Sequence, residues 1–191
     1  MRDKISMIAF IVILGTILTT ALVAVDNYTA PIIARNEDIK RKGSILKAFE
    51  ILYNEDEIEK AFIDNVKVLG KGDRSYYVSK DGTIAFLFRG AGLWVPIEGV
   101  LSMNRDMKTI SSIEIMRQEE TPGLGGRIAE REYLDRFGDK MFAPNLKMVP
   151  EGRSNKNNEI DGITGATMSC NVFIAILNDQ YKQYSALISG E

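Results

Sequence analysis

The stretch Asp161-Gly-Ile-Thr-Gly-Ala-Thr-Met-Ser-Cys170 packs a carboxylate, two threonines, a serine and two glycines into ten positions, directly ahead of an apolar helical pattern. Two kinds of chemistry suit such a place. Thr164, Thr167 or Ser169 can accept a hydrogen bond from an N–H left unpaired at the start of the helix, with the glycines turning the chain. The alternative is a phosphate seat. Gly165 and Ala166 let a bulky ligand approach the backbone, and a helix start offers free N–H groups and the positive end of its dipole. A cap needs one hydroxyl and this segment holds three, so both readings stand at this point.

Composition narrows what else the chain can do. It has no histidine, which excludes a Ser-His-Asp triad, a Cys-His dyad, a His-ligated haem and a histidine zinc site. The single Cys170 excludes an intrachain disulfide and an iron-sulfur cluster held by this chain alone, and reads as a small buried hydrophobe. Redox chemistry here would need an organic cofactor, and no catalytic residue or metal set stands out. The net charge of -2 comes from interspersed acids and bases, with no basic stripe of the kind that holds nucleic acid.

A second segment with chemical potential is Glu120-Thr-Pro-Gly-Leu-Gly-Gly126. Pro122 fixes a bend, and Gly123, Gly125 and Gly126 allow backbone to lie against a flat ring or simply to turn between a strand and a helix.

The elements that must position these segments follow from periodicity. "SYYVSKDGTIAFLFRG" alternates about Asp81-Gly82, a strong hairpin signal, and 95–103 and 109–117 flank the turn "NRDMK" as a second strand pair. A helix is expected from about 128 to 137. The last helix is expected from about 167 to 188, with Phe173, Leu177, Tyr181 and Tyr184 on one face. The soluble part is therefore α+β, with antiparallel strands and flanking helices. "GKGD", 70–73, reads as an exposed turn.

Ahead of this domain, Ile5 to Val25 carries no charge over 21 residues. At ~1.5 Å per residue such a helix spans the ~30 Å hydrocarbon core. The run exceeds the apolar region of a signal peptide and no A-x-A site follows, so it reads as an uncleaved anchor. Asp26 is a suitable N-cap for a separate amphipathic helix with Pro31 in its early turns. The expected organisation is 1–25 anchor, 26–60 juxtamembrane helix and charged joint, and 61–191 domain. Basic residues lie on both sides of the anchor, so charge does not orient it.

"DGITGATMSC" resembles the D-x-x-[ST]-G-A-[TS]-x-[ST] flavinylation motif of the FMN-binding domain found in RnfG and NqrC, subunits of ion-translocating electron-transfer complexes. "ETPGLGG" is similar to that family's E-T-P-G-L-G loop, and 90–110, "GAGLWVPIEGVLSMNRDMKTI", resembles its glycine-leucine-tryptophan stretch and strand pair. The resemblance implies covalent FMN, esterified through its phosphate to Thr167 by a separate flavin transferase that consumes FAD. A threonine hydroxyl is a poor nucleophile unaided, so Thr167 would be an acceptor and not a catalyst. By the same resemblance Thr164, Gly165, Ala166 and Ser169 would surround the phosphate, and Asp161 would hold a metal or the local turn during modification, or merely cap the loop. Glu120, Thr121, Pro122, Gly123, Leu124 and Gly125 would meet the flavin. Leu93 and Trp94 either pack on its ring or, for the tryptophan, fill the core.

The overall length is nearer to RnfG than to NqrC, which implies an Rnf-type complex coupling ferredoxin:NAD electron transfer to Na+ or H+ movement. The alternatives are an NqrC-like subunit of a Na+-translocating NADH:quinone oxidoreductase, or a non-redox anchored module binding a phosphate ligand or a partner. Implied partners are the other membrane and redox subunits and the transferase. The implied location is the cell membrane, with the N-terminus cytoplasmic and the domain outside.

Overall fold

The computed structural model describes residues 2–70 and 75–189; residues 71–74, where the exposed turn is expected, lie outside that range. The chain divides into two compact units, residues 1–40 and 41–191.

The described residues of the first unit all belong to one helix, α1, Arg2–Ala48. It is long and apolar enough to cross a membrane, and its large side chains, among them Phe10, Leu18 and Val23, stand exposed. Two hydroxyls of its apolar stretch are accommodated locally. Thr16 and Thr20 each donate to the carbonyl four residues earlier, at 2.8 Å, which removes the cost of an unpaired hydroxyl in an apolar medium. The expected break at Asp26 does not occur: α1 continues through Asp26 and Pro31, so Asp26 caps nothing and Pro31 is interior.

The second unit is built on a five-stranded antiparallel sheet in sequential order: β1 Val66–Leu69, β2 Tyr76–Ser79, β3 Ile84–Ala91, β4 Pro96–Met103 and β5 Ile110–Arg117. The alternation of each strand makes two faces. One carries Phe86, Phe88, Ile97, Leu101, Met103 and Ile113, and packs with Phe173, Leu177 and Tyr184 of the closing helix α4, Thr167–Ser189. Phe86 stacks on Tyr184 with centroids 4.3 Å apart. The other face carries Tyr77, Ala85 and Val100, all buried. Here α2, Ile58–Asn65, sets Phe62 edge-on to Tyr77. The last turns of α1 join α2: Lys42 pairs with Glu59 at 2.7 Å and Ile45, Leu46 and Ala48 are fully buried.

The α+β class and the antiparallel strands are as expected, with three departures. β1 adds a fifth strand at the sheet edge. The stretch expected as one helix from 128 to 137 is a chain of short turns: a 3-10 segment Gly125–Ala129, a single α-turn α3 Arg131–Leu134, and a 3-10 segment Asp135–Phe137. Glu130 is extended, with ψ 137°, and breaks the helical path; Ile128, Tyr133 and Phe137 still face the core. Finally, β6 Lys147–Val149 and β7 Glu159–Asp161 form a separate parallel pair that delivers the chain directly to Gly162.

Candidate functional site

α4 starts at Thr167, immediately after a tight turn. Ala166 N–H donates to Ile163 O at 2.9 Å, and Gly165 supplies the left-handed φ of +86° that the turn demands. The turn and the helix start together sort the motif by burial. Ile163, Ala166 and Cys170 point into the core, whereas Thr164, Gly165, Thr167 and Met168 are exposed.

The two motifs, far apart in sequence, meet at this helix start. Ser169 Oγ donates to Glu120 Oε2 at 2.8 Å, and the N–H of Leu93 donates to Glu120 Oε1 at 2.8 Å. Glu120 and Ser169 are 4% and 3% exposed, so one buried carboxylate ties the Leu93-Trp94 turn, the glycine loop and α4 together. Gly125 makes this possible: a Cβ there would collide with Ser169 Oγ and stand 3.0 Å from Glu120 Oε2. Gly123 serves differently, with φ +74° and open space around it. Thr121 O accepts from the N–H of Leu124 and of Gly126, which closes the loop, and Thr121, Pro122 and Leu124 remain on the surface. A Cβ on Gly165 would lie 3.4 Å from Leu124, so the loop and the turn are in contact.

On its other side the turn is held by polar groups of the 149–154 segment. Asp161 Oδ1 accepts from the N–H of Arg153 and Ser154 at 2.9 and 2.8 Å, the loop-capping role among its expected alternatives. Gly162 N–H reaches Val149 O at 2.8 Å. Arg136 Nη1 donates to the carbonyls of Asp161 and Gly162, both at 3.3 Å. Thr164 Oγ1 donates to Glu151 Oε2 at 2.6 Å, and that hydroxyl, with Arg136 and Arg127 nearby, holds the Glu151 carboxyl below its usual range. A cavity of about 280 Å³ here is lined by Met148, Glu151, Ile163, Thr164, Gly165 and Thr167. A larger one, about 700 Å³, is lined by Arg41, Phe62, Tyr77, Arg89 and Glu98 and by no residue of either motif, so size does not mark the site.

The three hydroxyls of the motif are thus in different states. Ser169 is buried on one glutamate and Thr164 is held by another. Thr167 is exposed, and its side chain has no hydrogen-bond partner among the described residues. Trp94 is 74% exposed and Leu93 40%, which removes the core reading for the tryptophan; with Leu124 and Met168 they give this region an apolar surface. Glu151, Arg136 and Met168 were not singled out from the sequence. The first two carry no local signal, since their partners lie 13 and 25 or 26 residues away. Among the described residues no three acidic or thiol groups come together as a metal site.

Residues 92–182 match the family model of the FMN-binding domain, a span that contains Leu93-Trp94, the glycine loop and the acceptor turn. The NqrC component of the Na(+)-translocating NADH-quinone reductase of Vibrio alginolyticus is 34% identical over 88 residues, 43% of this chain and 34% of the relative. Its Vibrio vulnificus counterpart is 31% identical over 119 residues, 56% of this chain and 47% of its own length. The chain thus spans between a third and a half of the length of these curated relatives. Two solved structures share the fold. NqrC of Shewanella oneidensis has a TM-score of 0.65 at 17% identity, covering 73% of this chain and 89% of that one. The corresponding Parabacteroides distasonis protein has a TM-score of 0.66 at 24% identity, covering 78% and 90%.

Proposed function

We propose that this chain carries FMN esterified through its phosphate to Thr167 and acts as a membrane-anchored electron-transfer subunit of an ion-translocating oxidoreductase. One observation carries the reading: of the motif's hydroxyls, Thr167 alone is both exposed and unpartnered among the described residues. The residues fit the group. The first turn of α4 offers N–H donors and the positive dipole end to a phosphodiester, and Gly165 and Ala166 keep bulk away from it. Leu93, Trp94, Leu124 and Met168 offer apolar surface for a flat ring. When bound, FMN supplies the electron-accepting and electron-donating ring; the protein contributes attachment, environment and place.

The similarity to NqrC proteins of the Na+-translocating NADH-quinone reductase supports that type of complex over the Rnf type expected from length. The partners are then the other subunits of such a complex, and a flavin transferase during maturation. α1 would hold the domain at the cell membrane, with Arg2 and Lys4 on the cytoplasmic side and the domain outside. A single span conducts no ions, so translocation belongs to the partners.

The test is co-expression with a competent flavin transferase, followed by denaturing electrophoresis and peptide mass spectrometry. Fluorescence that stays with the band, and a mass gain of FMN minus one water on Thr167, are expected. A colourless band would overturn the reading in favour of a non-redox anchored module.

A further inference from the structure

Any flavin transfer to this turn must choose between two exposed threonines three residues apart, Thr164 and Thr167. Both are side-chain hydroxyls bordering one cavity, so residue type does not discriminate. Their neighbours do. We propose that Glu151 is a specificity-determining residue for the attachment: by engaging the Thr164 hydroxyl it excludes Thr164 as a phosphate acceptor and leaves the reaction to Thr167. This rests on the covalent reading above and goes beyond it by assigning the choice of site to a residue outside both motifs.

In the transfer, the threonine oxygen bonds to the flavin-bearing phosphorus of FAD, the phosphoanhydride bond breaks, AMP leaves, and the hydroxyl proton passes to a base of the transferase or to water. Thr164 meets two obstacles. Its Oγ1 would have to give up a charge-assisted bond of 2.6 Å to Glu151. The phosphodiester formed there would then stand, negatively charged, against the same carboxylate. A carboxylate beside a hydroxyl can draw off its proton, but here the product would face like charge at close range, in a medium where screening is incomplete. In the unmodified chain the Thr164 hydroxyl holds the Glu151 carboxyl below its usual range, so the group that faces an incoming phosphate at neutral pH is a carboxylate. Thr167 meets neither obstacle. Its side chain has no partner among the described residues, and a phosphodiester on it would face the N-terminal turn of a helix of 23 residues. Ser169 is excluded by burial alone.

The experiment uses the full chain in detergent, FAD and a flavin transferase, with the modified peptide mapped by mass spectrometry. Wild type is expected to carry flavin on Thr167, and Thr167→Val to carry none on Thr164. The double variants Thr167→Val/Glu151→Ala and Thr167→Val/Glu151→Gln are expected to gain flavin on Thr164, at least tenfold above the single variant. Glu151 and Thr167 are both exposed, and circular dichroism is expected to show wild-type folding. If the wild type is modified and neither double variant is, Glu151 does not set the choice and the inference falls while the covalent reading stands. Thr164 already modified in Thr167→Val alone would also overturn it. A wild type without covalent flavin sinks both.

Discussion

At the acceptor turn, carboxylates and backbone N–H groups do the holding; where α1 enters the domain, buried aliphatic and aromatic side chains do. Glu120, Glu151 and Asp161 each engage a different part of the 161–169 segment or its neighbours, yet Thr164, Thr167 and Met168 remain on the surface. In the last turns of α1 Ile45, Leu46 and Ala48 are fully buried, and at the other face of the sheet Phe62 meets Tyr77 edge-on. Polar bonds fix geometry at modest net gain, because each replaces a bond to water, whereas apolar burial supplies stability without fixing any one atom. A site that must present one hydroxyl needs the first kind of support. The last turns of α1, which belong to the same compact unit as the sheet, rest on the second.

If the two ends differ in this way, damage to each should read out differently. The largest effect expected on chemistry is from Thr167→Val, which keeps the shape and removes the hydroxyl: covalent flavin falls from full to none by in-gel fluorescence, while stability stays within ~0.5 kcal/mol, as for an exposed position. Flavin persisting on Thr164 or Ser169 in that variant would move the acceptor. The largest effect expected on stability is from Leu46→Ala, about 2–5 kcal/mol lost through transfer and cavity terms, read by denaturation of the full chain in detergent. The acceptor would be unchanged. Loss of flavin from folded Leu46→Ala protein would show that the two ends are not separable.

Glu120→Gln tests the joint between the motifs. The carboxylate accepts from both Leu93 N–H and Ser169 Oγ; in the glutamine the amide oxygen can still accept from Leu93 N–H and the Ser169 hydroxyl can turn to accept from the amide nitrogen, so two charge-assisted bonds become neutral ones. A cost of about 1–3 kcal/mol is expected, together with altered flavin absorbance, because the common tie between the Leu93-Trp94 turn and α4 is weakened and its serine bond reversed. A spectrum identical to wild type would remove these loops from contact with the ring. Gly123→Val is expected to be milder. A Cβ there meets nothing within 4 Å, so the penalty is backbone strain at φ +74°, about 1–2 kcal/mol, and attachment persists while the absorbance or potential shifts.

Much of this was readable before the structure, for physical reasons that also mark where reading stopped. Asp81-Gly82 between alternating strands fixes a hairpin locally, and the apolar face at Phe173, Leu177 and Tyr184 fixes α4. β1 is only four residues long and three of them are not buried, so it has no alternation to detect. The helical break at Glu130 is tertiary in origin: Ile128, Tyr133 and Phe137 all reach one core, which a straight helix between them is not required to satisfy. Asp26 and Pro31 look like a helix start, but both are exposed and, among the described residues, α1 runs on through them without a break. In the site, residues inside the two motifs were legible as types. The pairings Glu120 with Ser169 and Glu151 with Thr164 were not, because a surface glutamate in "PEGR" looks the same with or without a partner.

The smallest effect expected is also the one that most directly sharpens the contrast, because it titrates one bond at the acceptor turn. The Glu151 carboxyl sits below its ordinary value of 4.5 in the folded chain, chiefly because the Thr164 hydroxyl donates to it. A lowered value in the folded state means that the unfolded chain binds the proton more readily, so this bond contributes above the ordinary carboxyl range and is lost as pH falls through the folded value. From about pH 8 to about pH 5 the contribution is constant, and it fades below the ordinary value. Asp81 titrates in the same direction, its carboxyl lowered first by the Ser79 hydroxyl, so acid denaturation of the wild type alone cannot isolate Glu151. The difference between wild type and Thr164→Val can, since the Asp81 contribution cancels and only the Glu151 bond is removed. The expected outcome is a stability difference that is flat near neutrality and shrinks toward zero in acid, with faster amide exchange at residues 162–166 as it does so. A difference that stays constant to the lowest pH would show that Thr164 is held by packing and not by the carboxylate, and the polar character assigned to this end of the molecule would lose its clearest member.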